Sequence, residues 1–441
     1  MTKTKTLDHN TAVKTFGCRL NIWESEVMSR HLAASGLDDA VVINTCAVTA
    51  EAEKQARQTI RKIRREDPSK RIVVTGCAAQ INPQSWQDMA EVDAVIGNHD
   101  KLEESTWHRL AGSNDGDLPS VVSDIMAVED VAPHLLEGFD GHTRAFLQIQ
   151  QGCDHRCTFC IIPYGRGQNR SVPMATVINQ VQALANQGIA EVVLTGVDVA
   201  SWGSDLGGSD LAGSDSGDNQ SSHPRLGQLL RRILKMVPNL RRLRMSSIDP
   251  AAIDDDFLIA MAEDQRLMPH LHLSVQHGDD LILKRMKRRH SRQDVLDLVA
   301  RVRQIRPDTV FGADFIAGFP TEDDAAHQQT LDLITTAGLT WLHIFPYSPR
   351  EGTPAARMPQ QDPNVIKTRA AELRAAATEA ETAFLKTRLG AVEDVLLETG
   401  GVGHTAQFAK AKINGEHLVA GQIYPVRVRG IADNMLDVEL R

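Results

Sequence analysis

Cys153, Cys157 and Cys160 form a C-x3-C-x2-C pattern, which is the strongest chemical signal in the sequence. Three thiolates at this spacing can bind three irons of a cubane iron–sulfur cluster and leave the fourth iron without a protein ligand. Such an open iron suggests a site for a substrate or a cofactor. The alternative is a zinc site, which would need a fourth Cys or His at matching spacing. His155 lies inside the loop and is wrongly placed for that role, so the spacing favours a 4Fe-4S cluster.

The other three cysteines, Cys18, Cys46 and Cys77, each follow an apolar run that is typical of a β-strand. Helical patterns separate these runs, which predicts parallel strands joined by right-handed crossovers. Because the carboxyl ends of parallel strands lie at one edge of a sheet, we expect the three thiols to converge there. Each could instead be a buried core cysteine. Their shared position favours a second 4Fe-4S cluster, also with an open iron.

The composition is that of an enzyme with several domains. The length of 441 residues suggests two or three domains, and 42% apolar residues are enough for sizeable cores. No run of about 18 apolar residues predicts a membrane span, and residues 1–9 lack the apolar stretch of a signal peptide. Six cysteines in two groups of three do not indicate a disulfide framework, which favours a cytoplasmic protein.

Alternating strand and helix patterns predict an α/β fold with two successive units. Strands of the first unit are expected at 13–17, 41–45, 72–76 and 94–96, with helices at 22–35 and 50–66. Strands of the second are expected at 145–150, 192–196, 242–246, 272–276, 310–316 and 342–347. The segment 103–142 between them is predicted to be a connection. Residues 203–224 are rich in Gly, Ser and Asp, which indicates a solvated insertion.

The C-terminal part changes character after a helical pattern at 363–386. Short strand patterns at 395–398, 406–413, 424–429 and 435–440 alternate with glycine turns. They predict a small β-barrel, which resembles the TRAM domain, an RNA-binding module. A purely structural end-cap is the alternative. Lys410 and Lys412, two residues apart on one strand, are candidate phosphate contacts or ordinary solvent-facing lysines.

The cysteine loop, with Phe159 directly before Cys160, resembles that of the radical S-adenosylmethionine (SAM) superfamily. The six strand–helix units resemble the partial (β/α)6 barrel typical of these enzymes. Further motifs extend the resemblance to the methylthiotransferase family. They are TFGCRLN at 15–21, NTCAVT at 44–49, TGCA at 75–78, the run 152–167 and DFIAGFPTE at 314–322. The implied domains are a methylthiotransferase domain at 9–103, a linker at 104–142, a radical SAM core at 143–380 and a TRAM-like domain at 381–441.

Within this family, HIFPYS at 343–348 and GTPAA at 352–356 resemble the branch that modifies N6-threonylcarbamoyladenosine beside the anticodon of tRNA. LHL at 271–273 with Gln276 resembles the same branch. The alternative substrates in the family are isopentenyladenosine in tRNA and an aspartate of a ribosomal protein. An alternative of a different class is a non-catalytic iron–sulfur protein that binds RNA or transfers electrons.

The resemblance implies a reaction in which one SAM gives a 5′-deoxyadenosyl radical and a second gives a methyl group. The unreactive C–H bond at C2 of adenine calls for such cofactor chemistry. The auxiliary cluster on Cys18, Cys46 and Cys77 would hold or donate the sulfur, and a reducing partner would supply electrons.

The resemblance also implies SAM contacts at strand ends and beneath the adenine. They are Phe159, Thr195, Gly196, Ser246, Gln276, Ile316 and Gly318. Simple turn formation is the alternative for the two glycines. Asp198 departs from related enzymes, which often have His or Asn near this point.

The net charge of −9 means that tRNA binding would need local clusters of cations. Basic residues concentrate at 54–65, 225–244 and 284–292, although solvated helix faces explain most such runs. The predicted contacts with the tRNA anticodon stem-loop are Lys284, Arg285, Lys287, Arg288, Arg289, Lys410 and Lys412.

Overall fold

The computed structural model describes residues 13–113, 120–129, 143–207, 223–415 and 417–441. Four parallel strands form the N-terminal sheet in chain order. They are β1 (Val13–Thr15), β2 (Ala40–Thr45), β3 (Arg71–Gly76) and β4 (Ala94–Val95). The accompanying helices are α1 (Arg19–Ser35), α2 (Ala50–Glu66), α3 (Cys77–Ile81) and α4 (Gln84–Gln87). Strand–helix alternation with parallel pairing is the arrangement that the sequence predicted.

The first strand is shorter and the first helix is longer than predicted. The strand ends at Thr15 and the helix begins at Arg19, so Cys18 occupies the N-cap of α1. Gly17 has a φ of +128°, a backbone conformation that glycine adopts without a steric penalty, and it turns the chain between the two elements. The early helix start brings the Cys18 thiol to the edge of the sheet.

Part of the predicted connection at 104–142 is folded onto the first unit. Helix α5 (Glu104–Ala111) buries Trp107 in the same apolar core as Met28 and Val73. A parallel bridge between Ile96 and Val121 extends the sheet beyond β4. Residues 114–119 and 130–142 of this segment, and 208–222 of the predicted insertion, lie outside the described residues.

Six parallel strands form the second unit, as the sequence predicted. They are β5 (Arg144–Gln148), β8 (Glu191–Thr195), β9 (Arg242–Met245), β10 (His270–Gln276), β11 (Val310–Ala317) and β12 (Leu339–Pro346); the short pair β6 (Gln150–Gln151) and β7 (Arg170–Ser171) lies between β5 and β8. The helices are α6 (Ile162–Arg166), α7 (Met174–Asn186), α8 (Leu226–Met236), α9 (Asp255–Glu263), α10 (Asp280–Arg285), α11 (Arg292–Ile305), α12 (Asp324–Ala337) and α13 (Pro363–Thr387). A bridge between Ile248 and Leu273 joins the sheet β5-β8-β9 to the sheet β10-β11-β12, which gives a partial barrel.

Alternation along these strands separates an apolar outside from a polar inside. Leu271, Leu273 and Val275 of β10 belong to the apolar core between barrel and helices. The alternate residues His270 and His272 point to the other face, which we call the lumen. The polar side chains of the barrel strands are therefore concentrated in the lumen.

The C-terminal part is a closed five-stranded barrel, which confirms the predicted fold. Its strands, in the order β13-β14-β15-β17-β16, are β13 (Val392–Leu397), β14 (Val402–His404), β15 (Lys410–Ile413), β16 (Ile423–Ala432) and β17 (Met435–Leu440). The sequence did not predict β14. The strand expected at 406–413 begins only at Lys410, because Phe408 has a φ of +72° and interrupts the extended backbone. In the part of the chain that the structure describes, no helix is both long enough and apolar enough to cross a membrane.

Candidate active site

Cys18, Cys46 and Cys77, which we call the strand-end triad, converge as the sequence predicted. A Cβ placed on Gly17 would lie 2.8 Å from Cβ and 3.1 Å from Sγ of Cys46, so the chain beside Cys18 passes directly over Cys46. Burial raises the pKa of Cys46 to about 12, and the nearby thiols of Cys77 and Cys18 add to the rise. Three free thiols therefore share one electrostatic environment at the edge of the sheet.

A buried charge network lies beneath the strand-end triad. Arg166 of α6 donates from Nε to Sγ of Cys77 at 3.0 Å and forms an ion pair with Glu24 of α1. Lys101 Nζ lies 2.6 Å from the second oxygen of Glu24 and 2.7 Å from Oδ1 of Asn98. Burial alone would lower the pKa of Arg166, but Cys77 and Glu24 outweigh it and raise the pKa. The two cations Arg166 and Lys101 face the single carboxylate of Glu24. One positive charge therefore remains to stabilise negatively charged sulfur ligands at the strand-end triad.

Sequence reasoning did not name Arg166 or Lys101 as site residues. Arg166 lies within the matched run 152–167, so its motif was a usable signal. Lys101 carried no such signal, because its partner Glu24 is 77 residues away in the chain. Glu24 itself is fully buried, which is rare for a glutamate unless it is paired.

Cys153, Cys157 and Cys160, the loop triad, follow β6 at the carboxyl end of the barrel strands. Gly152 enters the loop with a φ of +73°, and a Cβ there would lie 1.7 Å from the carbonyl oxygen of Gln168, so only glycine fits. Burial raises the pKa of Cys153 to about 12, with a further contribution from Asp198, and burial raises that of Cys160 to about 11. These thiols release their protons when a metal binds, because the metal ligand is the thiolate.

The spacing of both triads fits a cluster better than a single metal ion. Four thiolates at about 2.3 Å from zinc would place their sulfurs about 3.8 Å apart. Within the described ranges, only His272, Asp314 and His343 bring three donor atoms within 4.8 Å of one another. Neither cysteine triad is that compact, so each leaves room for a larger inorganic core.

The loop triad is held against the barrel by α10 and the turn that follows it. Oγ1 of Thr158, a residue within the loop, donates to the carbonyl oxygen of Arg285 at 2.8 Å. Arg288 donates to Sγ of Cys157 at 3.5 Å, to Asp249 at 2.9 Å and to the carbonyl oxygen of Ser274 at 2.8 Å. Arg288 was predicted to contact RNA; the structure instead directs its guanidinium to the loop triad.

The predicted SAM contacts lie around the barrel end that carries the loop triad. Thr195 ends β8, Ser246 follows β9 and Gln276 ends β10 with a φ of +75°. Oγ of Ser246 is buried and has no hydrogen-bond partner among the described residues. Phe159 packs beside Ile316 of β11 in a separate apolar cluster. The structure thus gathers these residues at one rim.

The two predicted glycine contacts have structural reasons of their own. A Cβ on Gly196 would lie 2.8 Å from two oxygens of Gln150, and one on Gly318 would lie 2.7 Å from Cγ1 of Ile366. Gly318 also has a φ of +73°. Close packing therefore requires glycine at both positions whether or not SAM approaches.

Asp198 binds the loop triad from the side. Its Oδ2 lies 3.0 Å from Nε2 of His155, accepts from Oγ of Ser201 at 2.7 Å and lies 3.9 Å from Sγ of Cys153. Burial would raise the pKa of Asp198, but hydrogen bonds from His155 and Ser201 lower it overall. The carboxylate therefore stays ionised and orients the loop.

The predicted RNA contacts divide into exposed and engaged side chains. Lys284 and Lys287 are exposed, as are Lys410 and Lys412 on alternate positions of β15. Arg289 is exposed as well, but its guanidinium lies 3.4 Å from the carboxylate of Asp249. Arg285 is half-buried and donates to Oγ1 of Thr321 at 2.7 Å. Arg242 and Arg244, which belong to the basic run at 225–244, are buried in the protein and cannot reach RNA.

Two family profiles match the chain. The profile described as "Radical SAM superfamily" matches residues 147–334, which include the loop triad. The profile described as "Uncharacterized protein family UPF0004" matches residues 10–97, which include the strand-end triad.

A relative over nearly the whole chain decides the family. The threonylcarbamoyladenosine tRNA methylthiotransferase MtaB of Rickettsia prowazekii (strain Madrid E) is 48% identical over 424 residues, and 96% of each chain is covered. The chain belongs to the radical SAM methylthiotransferase family. The predicted resemblance is thereby confirmed, and this methylthiotransferase is an enzyme that uses SAM and a 4Fe-4S cluster.

Other family members are less similar to this methylthiotransferase. The MtaB of Thermotoga maritima is 33% identical, with 96% of this chain and 94% of the relative covered. The tRNA-2-methylthio-N(6)-dimethylallyladenosine synthase of Cereibacter sphaeroides (strain ATCC 17029 / ATH 2.4.9) is also 33% identical, with 96% and 97% covered.

Among solved structures, the radical SAM methyltransferase TsrM from Kitasatospora setae is similar in fold. Its complex with tryptophan and a SAM analogue has a TM-score of 0.51 and 17% identity, with 75% of this chain and 66% of TsrM covered. At this identity the likeness concerns the fold alone.

Proposed function

We propose that this methylthiotransferase adds a methylthio group to C2 of N6-threonylcarbamoyladenosine beside the anticodon of tRNA. The observation that carries the proposal is the 48% identity, over 96% of both chains, to a relative named for that substrate. An identity of 33% does not distinguish between the two nucleoside substrates, because relatives named for either of them are 33% identical to this chain. The tRNA substrate and the oxygen-sensitive clusters favour a cytoplasmic location.

The loop triad would hold the cluster that binds SAM, and the strand-end triad would hold a second 4Fe-4S cluster. Each offers three thiolates and no fourth protein ligand at the right spacing, which leaves an iron for SAM or for the transferred sulfur. When bound, these groups supply the one-electron chemistry that an aryl C–H bond requires. An external reductant would provide the electrons.

The chain's own residues position the reactants and exclude water. Ser246 and Gln276, at the rim, would bind the polar groups of SAM, and Phe159 with Ile316 would pack against its adenine. Oγ of Ser246 supports this role because buried polar groups normally have partners. Asp198 contacts Cys153 of the loop triad, and Arg288 contacts Cys157.

The tRNA would approach over exposed cations near the loop triad. Lys284, Lys287 and Arg289 lie in or just after α10, which contacts the loop through Thr158. Lys410 and Lys412 offer a second basic surface on the C-terminal barrel. A single-stranded anticodon loop allows a splayed adenosine to enter an enclosed site.

Mass spectrometry of tRNA nucleosides tests the substrate. We expect that a strain lacking the gene loses 2-methylthio-N6-threonylcarbamoyladenosine and regains it on complementation. Complementation with Cys157→Ala is the matched inactive control. Loss of methylthio-isopentenyladenosine instead would refute the proposed nucleoside while leaving the enzyme class intact.

The second cluster is tested by comparing Cys46→Ala with Cys157→Ala in purified, reconstituted enzyme. We expect Cys157→Ala to abolish SAM cleavage, whereas Cys46→Ala retains SAM cleavage and makes no methylthio product. Iron content should fall from about eight to about four atoms per chain in either variant. Full methylthiolation by Cys46→Ala would contradict the two-cluster assignment.

A further inference from the structure

Arg19 brings an unpaired positive charge into the lumen of the six-stranded barrel. It follows Cys18 at the start of α1, a helix whose Leu20 and Trp23 pack in the barrel's apolar core. Its side chain forms no ion pair and no hydrogen bond with any described residue. The guanidinium carbon lies 5.7 Å from the ring centroid of Phe408, at the end of the lumen covered by the C-terminal barrel.

The neighbouring guanidinium groups already have partners. Arg244 donates to both carboxylate oxygens of Glu191, at 2.8 and 3.0 Å. Arg144 lies 2.8 Å from the carboxylate of Glu398. Arg242 donates to a backbone carbonyl of the C-terminal barrel at 2.7 Å and lies 3.8 Å from Glu191. Arg19 therefore differs from the other cations in this region.

The charges of the region sum to one positive charge. The groups are the guanidiniums Arg19, Arg144, Arg242 and Arg244 and the carboxylates Glu191, Asp314 and Glu398. His270 and His272 add no charge to this sum, because burial lowers the pKa of His270 well below its usual value and also lowers that of His272. An anionic ligand beside Arg19 would neutralise the excess.

Unsatisfied polar atoms line the same space. Both ring nitrogens of His270 and both amide atoms of Gln148 are buried without hydrogen-bond partners in the described part of the chain. Strand alternation puts Gln148 on the same face of β5 as Arg144, and His270 on the lumen face of β10. Because buried polar groups in native proteins are nearly always bonded, these atoms are available to bond a polar ligand or water.

The lumen is open to solvent at β12. His343 has 59% of its side chain exposed, although its Nδ1 lies 3.0 Å from Oδ1 of Asp314 on the lumen face of β11. Gly312 lets the His272 ring pack against β11, because a Cβ there would lie 2.3 Å from Nδ1 of His272. A polar group could therefore enter the lumen from this side.

Resting on the proposed function, we propose that the lumen binds the N6-threonylcarbamoyl substituent, with its carboxylate on Arg19 and its hydroxyl and urea groups on His270 and Gln148. A guanidinium offers two parallel donors that match a carboxylate. An isopentenyl group has no polar atoms, so it would leave all three side chains unpaired. A site built to hydrogen-bond its substrate rejects such analogues by orders of magnitude.

A divalent cation at His272, Asp314 and His343 is the competing occupant. Two histidines and a carboxylate can bind a transition metal. Here, however, both histidines already lie 3.0 Å from the same oxygen, Oδ1 of Asp314. The unpaired charge of Arg19 acts on Asp314 as well, and it opposes a second cation.

The test uses reconstituted full-length enzyme and two anticodon stem-loop RNAs. One carries N6-threonylcarbamoyladenosine, and the other carries its threoninamide analogue, in which a neutral amide replaces the carboxylate. Arg19→Gln removes the charge, Arg19→Lys keeps it, and Arg30→Gln, at an exposed position of the same helix, is the control. For each variant kcat/KM, the RNA Kd by fluorescence anisotropy, and iron content are measured.

We expect Arg19→Gln to lower kcat/KM and weaken binding of the carboxylate RNA by about 10- to 100-fold. The same variant should change both values for the amide RNA by less than about twofold, and Arg19→Lys should be intermediate. Equal losses on both RNAs, or no loss on either, would overturn the proposal. A stoichiometric metal other than iron that disappears in His343→Ala would also overturn it.

If Arg19→Gln fails to assemble its clusters, Gln148→Leu is the second variant that tests the pocket. We expect this variant to narrow the preference for threonylcarbamoyl over isopentenyl RNA by about tenfold, and an unchanged preference would count against the pocket. If the proposed function itself is wrong, the assays would give a different result. Wild-type enzyme would then methylthiolate isopentenyl RNA and leave both threonyl RNAs unmodified.

Discussion

Arg166 connects the two cysteine-bearing parts of the chain through its side chain. It belongs to α6, directly after the loop triad, yet its Nε donates to Cys77 of the strand-end triad at 3.0 Å. Its guanidinium also pairs with Glu24 of α1. A cation on a thiolate stabilises the deprotonated, metal-binding form of the sulfur.

Replacing Arg166 by Gln should therefore damage the strand-end triad selectively. We expect iron content to fall from about eight towards about four atoms per chain, while SAM cleavage persists. Iron and sulfide analysis with an assay of 5′-deoxyadenosine formation would measure both effects. Arg231→Gln, an exposed arginine of α8 paired with Asp256, should change neither. Full iron content in Arg166→Gln would contradict this role.

Glu191 should couple the stability of the barrel to pH. Burial would raise its pKa, but Arg244, Arg144 and Arg242 outweigh burial and lower it from 4.5 to about 2. Because the folded pKa lies below the unfolded one, the stabilisation is complete above about pH 4.5 and is lost as the pH falls towards 2. The free energy of unfolding should fall by on the order of 3 kcal/mol over this window.

Urea denaturation between about pH 5.5 and about pH 3 would measure the larger part of this loss, on the order of 2 kcal/mol. Glu191→Gln should be less stable at pH 5.5, because Arg244 loses its partner, and should show a shallower dependence on pH. Glu379→Gln, at an exposed position of α13, is the control. Parallel pH profiles for wild type and Glu191→Gln would show that another group governs the acid limit.

At the scale of elements, the C-terminal barrel closes the end of the lumen opposite the loop triad. The ring of Phe408 stacks on His270 with centroids 5.1 Å apart and on His404 at 4.6 Å. Nε1 of Trp341 on β12 donates to the carbonyl oxygen of Gln407 at 2.9 Å. The segment before β15 therefore acts as a plug, which explains why it is not a strand.

Phe408→Ala should loosen this plug. We expect a loss of about 3 kcal/mol in the free energy of unfolding and faster proteolysis near residues 388–391, because a large ring leaves its stacked partners. Differential scanning calorimetry and limited trypsin digestion would measure the two effects. Lys412→Ala, on the exposed face of β15, should leave both unchanged. An unaltered Tm for Phe408→Ala would mean that the barrel is held by its backbone contacts alone.

Strands and helices were predictable where a local pattern in the sequence specifies them. Cys46 and Cys77 follow strands β2 and β3 as expected, because apolar runs and helical spacing are visible in one stretch of sequence. The short strand β14 was not predicted, since three residues give too little periodicity. Helix α5 was missed within a segment that looked merely polar.

The features that the sequence did not reveal are contacts between distant residues. Arg242 and Arg244 belong to a basic run, yet they are buried against carbonyl groups about 160 residues later in the chain. The pairing of Arg166 with Glu24 spans 142 residues. Composition and spacing cannot reveal such partners, because they arise only when separate elements pack together.

At the scale of the whole molecule, the chain is acidic but its exposed cations are grouped. The net charge is −9, while Lys284, Lys287 and Arg289 lie together beside the loop triad. Phosphate contacts by such side chains release counterions, so the affinity for RNA should fall as salt increases.

Replacing Lys284, Lys287 and Arg289 together by Gln should raise the Kd for the anticodon stem-loop by about tenfold or more at low salt. The slope of log Kd against log salt should fall by about two to three, because up to three phosphate contacts are lost. Fluorescence anisotropy over a salt series measures both. Arg301→Gln, an exposed arginine of α11, is the control, and an unchanged slope would exclude this surface.

Helix α1 limits how the units of such enzymes can diverge, because it contributes residues to both units. Adjacent residues serve different parts of the molecule, since Cys18 belongs to the strand-end triad and Arg19 enters the lumen. Leu20 and Trp23 of the same helix complete the apolar core of the barrel. The two units therefore cannot be recombined freely between relatives. A chimera that exchanged residues 13–103 would import a foreign side chain into the pocket, so substrate preference and the N-terminal unit should be inherited together.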